Sequence, residues 1–371
     1  SSWLKHGLHG LSSYFGKSLQ SCRSWLSQDF GSKASQGLLA PWGLHVGLGP
    51  EDSLSANMTK VIFFTLENVS LPVVKGGSKQ LVNAFVQYIK SKDGIFVKNA
   101  HVTSIVCEDR RARAVKTVDG KKYSAKNAVI CNVTPSQLYK KLLSKKYVPR
   151  KIYEQAERYR FGRGDMQIHL ALKQKPQWVK SSLDKVAMVH ITPGLDGVSK
   201  AVNQAERGLL PEEATIVVGQ PTALDPSRAP EGRFILWIQL QELPRNGCIK
   251  GDAAGEIAIP RHGEWTEDIK EAYANRILNR LSAHITNLRE AVIGQEILSP
   301  RDLEGMNMNL VGGDPYSGVC SLDQFFFWRP LRGTKNHSTP IANLYHIGAS
   351  THPGPGLGGN SGYLAAQQIL S

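Results

Sequence analysis

The chain has 371 residues, of which 41% are apolar and 20% charged, which is enough for one large domain or two interleaved ones with a sizeable core. No apolar run approaches the ~18 residues of a membrane-spanning helix. The five cysteines (Cys22, Cys107, Cys131, Cys248, Cys320) are scattered without a CxxC pair, so neither a disulfide framework nor a zinc site is indicated and a reducing compartment fits. The net charge of +14 comes without aromatic residues interleaved among the basic clusters, which argues against nucleic acid. It is compatible with an anionic cofactor or with peripheral contact at an anionic membrane.

The opening residues, SSWLKHGLHGLSSYFGKSL, hold no acid before Asp29 and predict an amphipathic helix; the expectation is that they begin inside a longer polypeptide. Residues 1–70 read as helices and turns. A loop at 72–77 leads into a helix over 78–92, with Ser78 as cap and Leu81, Ala84, Phe85 and Ile89 on one face. Strands are predicted at 102–108, 112–118 and 121–131, with Asp119-Gly120 as the turn between the last two. Pro135 ends that region and a helix follows over 136–143. The middle of the chain shows widely spaced strands at 166–172, 186–191, 215–219 and 234–241, the pattern of a broad sheet. A helix over 267–288 carries Ile269, Tyr273, Ile277, Leu281 and Ile285 as an apolar stripe. A strand at 344–349, a glycine-rich loop and a helix at 361–370 close the chain.

The loop contains Gly354-x-Gly356-x-x-Gly359, formally a dinucleotide fingerprint. Only 12 residues follow Gly359, too few for the strand and acidic residue that the fingerprint requires. The physical reading is different: a strand ends, glycines admit a flat ligand, and a helix starts with its positive dipole end toward it. Such a helix end stabilises the anionic pyrimidine edge of a reduced flavin.

Three stretches together resemble the phytoene-dehydrogenase-like FAD-dependent oxidoreductases: PVVKGGSKQLVNAFVQYIKSKDGIFVKNAHVTSIV, AKNAVICNVTPSQLYKKLL and GASTHPGPGLGGNSG. The intervening pieces LLAPWGLHVGLGPED, VGQPTALDPSRAPEG and NLVGGDPYSGVCSLDQFFFWRPL resemble that branch as well, so the likeness covers nearly the whole chain. It implies an α/β fold: a Rossmann-like FAD/NAD(P)-binding domain (71–135 and 336–371) interleaved with a substrate domain (1–70 and 136–335) built on a mixed or antiparallel sheet with helices. The family's first strand–GxGxxG–helix has no counterpart near residue 1, so the resemblance implies a chain truncated at its N-terminus that holds FAD weakly.

For the FAD contacts the resemblance implies Gly76 and Gly77 before the helix, Val102 at the adenine, and Thr134 and Pro135 at a strand end near the dinucleotide. It also implies Gly348, Ala349 and Ser350 along the pyrophosphate and ribityl chain, and Gly358, Gly359, Asn360 and Ser361 beneath the isoalloxazine. Asn360 and Ser361 are placed either to cap the last helix or to bond the ligand. His352, in the same loop, is the candidate catalytic base, weighed against a loop histidine bonding backbone. His169, expected to share a sheet face with Gln167 and Ala171, and Phe327 and Trp328, in the run 325–328, are candidate substrate contacts, weighed against ordinary packing. His346 reads as structural, Asp225 and Asp314 as turn residues, and Asp323 with Arg329 as an ion pair. The implied reaction is hydride transfer between flavin and an apolar, isoprenoid or lipid-like substrate. Two other readings stand beside it: a prenyl- or protein-binding relative without flavin chemistry, and an amine oxidase. The compartment expected is intracellular, cytoplasmic or at a membrane surface, with the mitochondrion included through a mitochondrial relative.

Overall fold

The computed structural model describes residues 2–334, 337–356 and 358–371, and leaves the side chains of residues 2–6, 8 and 9 undescribed. The amphipathic character expected of the first helix rests on those side chains and lies outside the described residues, as does residue 336, the expected start of the last FAD-domain segment.

In chain order the helices are α1 (Ser2–Ser18), α2 (Cys22–Asp29), α3 (Lys33–Leu39), α4 (Ser55–Val69), α5 (Ser78–Lys90), α6 (Arg150–Glu157), α7 (Gly194–Glu206), α8 (Glu267–Ser282), α9 (Leu288–Ala291), α10 (Pro300–Met306) and α11 (Asn360–Leu370). The strands are β1 (Val102–Glu108), β2 (Arg111–Thr117), β3 (Lys122–Ser124), β4 (Val129–Asn132), β5 (Gly164–Leu172), β6 (Met188–Ile191), β7 (Leu209–Leu210), β8 (Ile216–Gly219), β9 (Phe234–Leu243), β10 (Gly251–Asp252), β11 (Val292–Leu298) and β12 (Leu344–Ile347). None of the described helices is long and apolar enough to cross a membrane.

Contacts divide the chain into two units. The larger holds Ser1–Gly94 and Arg163–Met306, the smaller Ile95–Gly162 and Asn307–Ser371. The division differs from the expected one in three segments. Residues 71–94 fall with the larger unit, where the Gly76 N–H donates to the Asp225 carboxylate at 2.7 Å and Arg228 donates to the Val74 carbonyl. Residues 136–162 and 307–335 fall with the smaller one, where Leu138, Tyr139, Tyr159 and Leu331 enter its core.

The larger unit is organised by a five-stranded sheet of order β11-β5-β9-β8-β6, antiparallel throughout. Strict alternation places Met166, Ile168, Leu170 and Leu172 of β5 and Leu236, Ile238 and Leu240 of β9 in one buried core, where the stripe Ile269, Tyr273, Ile277 and Leu281 of α8 packs with them. Thr266 caps α8 by accepting the Ile269 N–H, and Glu267 and Asp268 suit its positive end. The helix ends six residues earlier than predicted. Ile285 stays buried but leaves the helix to bridge Trp178, and Asn287 accepts the Gln177 N–H and donates to the Lys175 carbonyl.

The other face of β5 carries Asp165, Gln167, His169 and Ala171, with His169 opposite Trp237 and Gln167 opposite Gln239. Helix α5 starts after Gly77, so Ser78 is its first residue and no side chain caps it. None of its residues is buried; Leu81, Phe85 and Ile89, expected to face a core, are exposed.

The smaller unit contains the antiparallel meander β1-β2-β3 and a separate parallel pair, β4 with β12. The single strand predicted over 121–131 is thus two strands serving two sheets. Positive φ at Asp109 and Arg110 forms the β1–β2 turn and Gly120 the next. The core beneath gathers Ile105, Val129, Cys131, Leu138, Tyr139 and Leu344.

Candidate cofactor site

Strands β4 and β12 run in parallel, with Cys131 opposite His346 and Asn132 opposite Ile347. Their carboxyl ends open into a cavity of about 500 Å³ within the smaller unit. In open parallel sheets this is where ligands bind. Asn132 and Val133 line it from β4, Ile347 to Ser350 from β12, Pro353 to Gly356 and Gly358 to Gly362 from the glycine loop and α11, and Asn307, Asn309 and Ser317 from a preceding loop. Among the described residues, no charged side chain lines it.

The backbone there is shaped by its glycines. Gly348 has φ +101, and a Cβ on it would fall 1.9 Å from Asn132 Oδ1, so the turn out of β12 admits no side chain. Around it the loop is pinned by specific bonds. The Gly348 N–H donates to Ser361 Oγ at 3.0 Å, Thr351 Oγ1 donates to the Gly348 carbonyl at 2.8 Å, and Ser350 Oγ donates to the Val133 carbonyl at 3.0 Å. His346 lies beneath, donating from Nε2 to the same Val133 carbonyl at 2.6 Å. That bond places a proton on Nε2, and burial, outweighing it, lowers the His346 pKa to about 4. Helix α11 opens at Gly359 (φ +66) without a side-chain cap, so Asn360 and Ser361 do not cap it and Ser361 is engaged with Gly348. The uncapped first turn leaves backbone N–H groups and the positive dipole end at the cavity.

Of the expected cofactor residues, Gly348, Ala349, Ser350, Gly358, Gly359, Asn360 and Ser361 converge on this cavity. Thr134 and Pro135 directly follow Val133 at the end of β4; the Thr134 N–H donates to Asn309 Oδ1 at 3.0 Å. Val102 opens β1, away from the lining. Gly76 and Gly77 belong to the larger unit, and the Gly76 N–H is already taken by Asp225. The lining residues Asn132, Asn309 and Ser317 carried no sequence signal beyond their place in the resembling stretches, and Asn307 lies outside those stretches.

His352 and Phe327 line a second cavity of about 540 Å³, their rings nearly parallel with centroids 6.4 Å apart. His169 is exposed on its sheet face in the larger unit, and Trp328 is 40% exposed in the smaller. One expectation is corrected. Asp323 pairs with Arg160 at 2.6 Å and not with Arg329, whose guanidinium is buried and donates to backbone carbonyls. Asp314, read as a turn residue, accepts the Tyr316 N–H two residues on, and it is also fully buried and accepts the N–H groups of Gly162 and Gly318.

No family model matches the chain. Among curated proteins it is 32% identical over 171 residues to the rat pyridine nucleotide-disulfide oxidoreductase domain-containing protein 2, a match covering 46% of this chain and 27% of that one. It is 28% identical over 301 residues to the lycopene-forming phytoene desaturase of a Paracoccus species, covering 80% of this chain and 54% of the desaturase. The chain thus spans about half the length of that desaturase and less of the rat protein. An oxidoreductase from Methanosarcina mazei shares its fold with a TM-score of 0.58 at 13% identity, over 96% of this chain and 71% of that structure. The expected α/β class stands, and the fold is shared with that oxidoreductase. The resemblance to the phytoene-dehydrogenase-like FAD-dependent oxidoreductases is thereby borne out by relatives in sequence and by fold.

Proposed function

We propose that this chain supplies the flavin-side part of an FAD-dependent oxidoreductase that moves a hydride between FAD and an apolar, isoprenoid-like substrate. The observation that carries the reading is the cavity at the carboxyl ends of β4 and β12, floored by side-chain-free backbone at Gly348 and faced by the uncapped start of α11. FAD, when bound, accepts or donates the hydride; the chain's own groups position it. Gly348 to Ser350 admit the cofactor close to the main chain, and the N–H groups at Asn360 and Ser361 stabilise negative charge on the reduced ring. Asn132, Asn307 and Asn309 offer amide groups to a polar edge. His352 is a candidate base at the loop; Phe327, which lines the second cavity with it, and Trp328 are candidate substrate contacts of the smaller unit, and His169 is a separate candidate in the larger.

The test is an anaerobic titration of the chain with FAD, followed by addition of an isoprenoid polyene precursor. Saturable flavin binding and loss of the oxidised-flavin absorbance on adding the polyene are expected. Absence of saturable binding overturns the flavin reading. Bleaching by amines with peroxide release, and none by polyenes, replaces the substrate class with that of an amine oxidase.

A further inference from the structure

The turn 316–319 forms a wall of the glycine cavity through Ser317, yet it has no regular secondary structure to hold it. Its polar backbone is instead divided between two buried charges. Asp314 accepts the Tyr316 N–H through Oδ1 and the Gly318 N–H through Oδ2, both at 2.8 Å. Arg329, 3% exposed, donates from Nη2 to the Tyr316 carbonyl at 2.7 Å and from Nη1 to the Val319 carbonyl at 3.2 Å, with both nitrogens 3.4 Å from the Gly318 carbonyl. Its Nε donates to the Ala349 carbonyl at 2.9 Å, and Ala349 belongs to the same cavity lining as Ser317. Tyr159 Oη donates to the remaining carbonyl, that of Ser317, at 3.1 Å. The fit is close: a Cβ at Gly318 would lie 2.1 Å from that Tyr159 oxygen.

Arg329 does not line the glycine cavity; it lines the second cavity with Phe327 and His352. A carboxylate on the N–H groups and a guanidinium on the carbonyls leave the turn no alternative bonding pattern, and the planar fork of arginine reaches carbonyls that a lysine ammonium cannot span. We infer that Arg329 is a positioning residue for the flavin: with Asp314 it couples the 316–319 turn to the Ala349 carbonyl and so sets the width of the cavity between Ser317 and the glycine loop. This rests on the flavin reading above.

The experiment measures the dissociation constants of oxidised and reduced FAD for the wild type, Arg329→Lys and Tyr159→Phe, with a thermal midpoint for each. Arg329→Lys keeps the charge and is expected to bind FAD about tenfold more weakly, with a changed ratio of oxidised to reduced affinity. Tyr159→Phe removes a single bond to the same turn and is expected to cost about threefold in affinity with little change in the midpoint. A purely structural role lowers the midpoint but leaves the affinity ratio of the folded protein alone. If folded Arg329→Lys binds both flavin forms as the wild type does, the inference fails while the flavin reading stands. If Arg329→Lys does not fold, unchanged binding by Tyr159→Phe overturns the inference in the same way. If the wild type binds no FAD, the flavin reading fails and the inference with it.

Discussion

Asp314 in the smaller unit and Asp165 with Glu242 in the larger are all buried acids, but their surroundings differ. Asp314 receives three backbone N–H bonds, and the nearby Arg329 charge favours its ionised form; burial still pushes its pKa upward. Asp165 accepts from Gln239 Nε2 at 2.7 Å, with Gln167 and the Met166 N–H also favouring its ionised form, and Glu242 accepts the Thr215 N–H at 3.3 Å, with the Arg163 charge favouring its ionised form; Asp165 Oδ1 and Glu242 Oε2 are buried without hydrogen-bond partners. Burial, with mutual repulsion at Asp165, raises each to about 7. A buried carboxylate surrounded by donors organises the backbone around it, whereas one short of donors is held as a proton-carrying acid at a cost in stability once ionised.

The contrast can be broken or sharpened by substitution. The largest effect is expected for Gly348→Val, whose Cβ collides with Asn132 and whose φ is +101; a loss on the order of 3 kcal/mol in urea denaturation, with FAD binding abolished, follows from that strain. Asp314→Asn places an amide donor against N–H groups and is expected to lose about 2 kcal/mol, read in the same denaturation experiment. Preserved stability there would remove the distinction between the two sites.

Asp165→Asn is expected to act in the opposite direction. Because the folded pKa of Asp165 lies above its ordinary value of 3.8, the native state binds more protons than the unfolded one between about pH 4 and 7, so stability falls as pH rises through that window and is level above it. The variant lacks that decline and is expected to exceed the wild type by about 2 kcal/mol at pH 8, with a flatter profile over pH 4–7. A profile unchanged by the substitution would show that the acid is ionised at no cost. The smallest effect is expected for Asp323→Ala, which removes the exposed pair with Arg160 and is expected to change stability by less than about 0.5 kcal/mol.

Regions governed by periodicity were readable before the structure. The alternation in β5 and β9 and the stripe on α8 follow from burial on one face, and each was found within a few residues. Strand β11 was not, because as an edge strand it is mostly exposed and carries Gly294, Gln295 and Glu296 with no alternation to detect. Helix α7 was hidden by Gly194, Gly197 and Ser199, although Leu195, Val198, Ala201, Val202 and Ala205 form its buried side. At the candidate site, the glycine loop was legible because φ and close approach restrict residue type locally. The Asp314–Arg329 bracket was not, since neither charge has a helical or strand-spaced partner and both bind main chain. Local charge spacing suggested Asp323 for Arg329, but the guanidinium points inward to carbonyls and Arg160 takes the aspartate.

The pairing of β4 with β12 also has a consequence in time. Val129–Asn132 leaves the ribosome well before its partner Leu344–Ile347. Loop closure over such a separation is slow, and parallel pairing cannot begin before the second strand exists. The larger unit's sheet, complete once Leu298 has emerged, can therefore fold first. The glycine cavity forms after it, when α11 docks beside β12, so a chain halted before Gly348 would carry an ordered five-stranded sheet and no cofactor cavity.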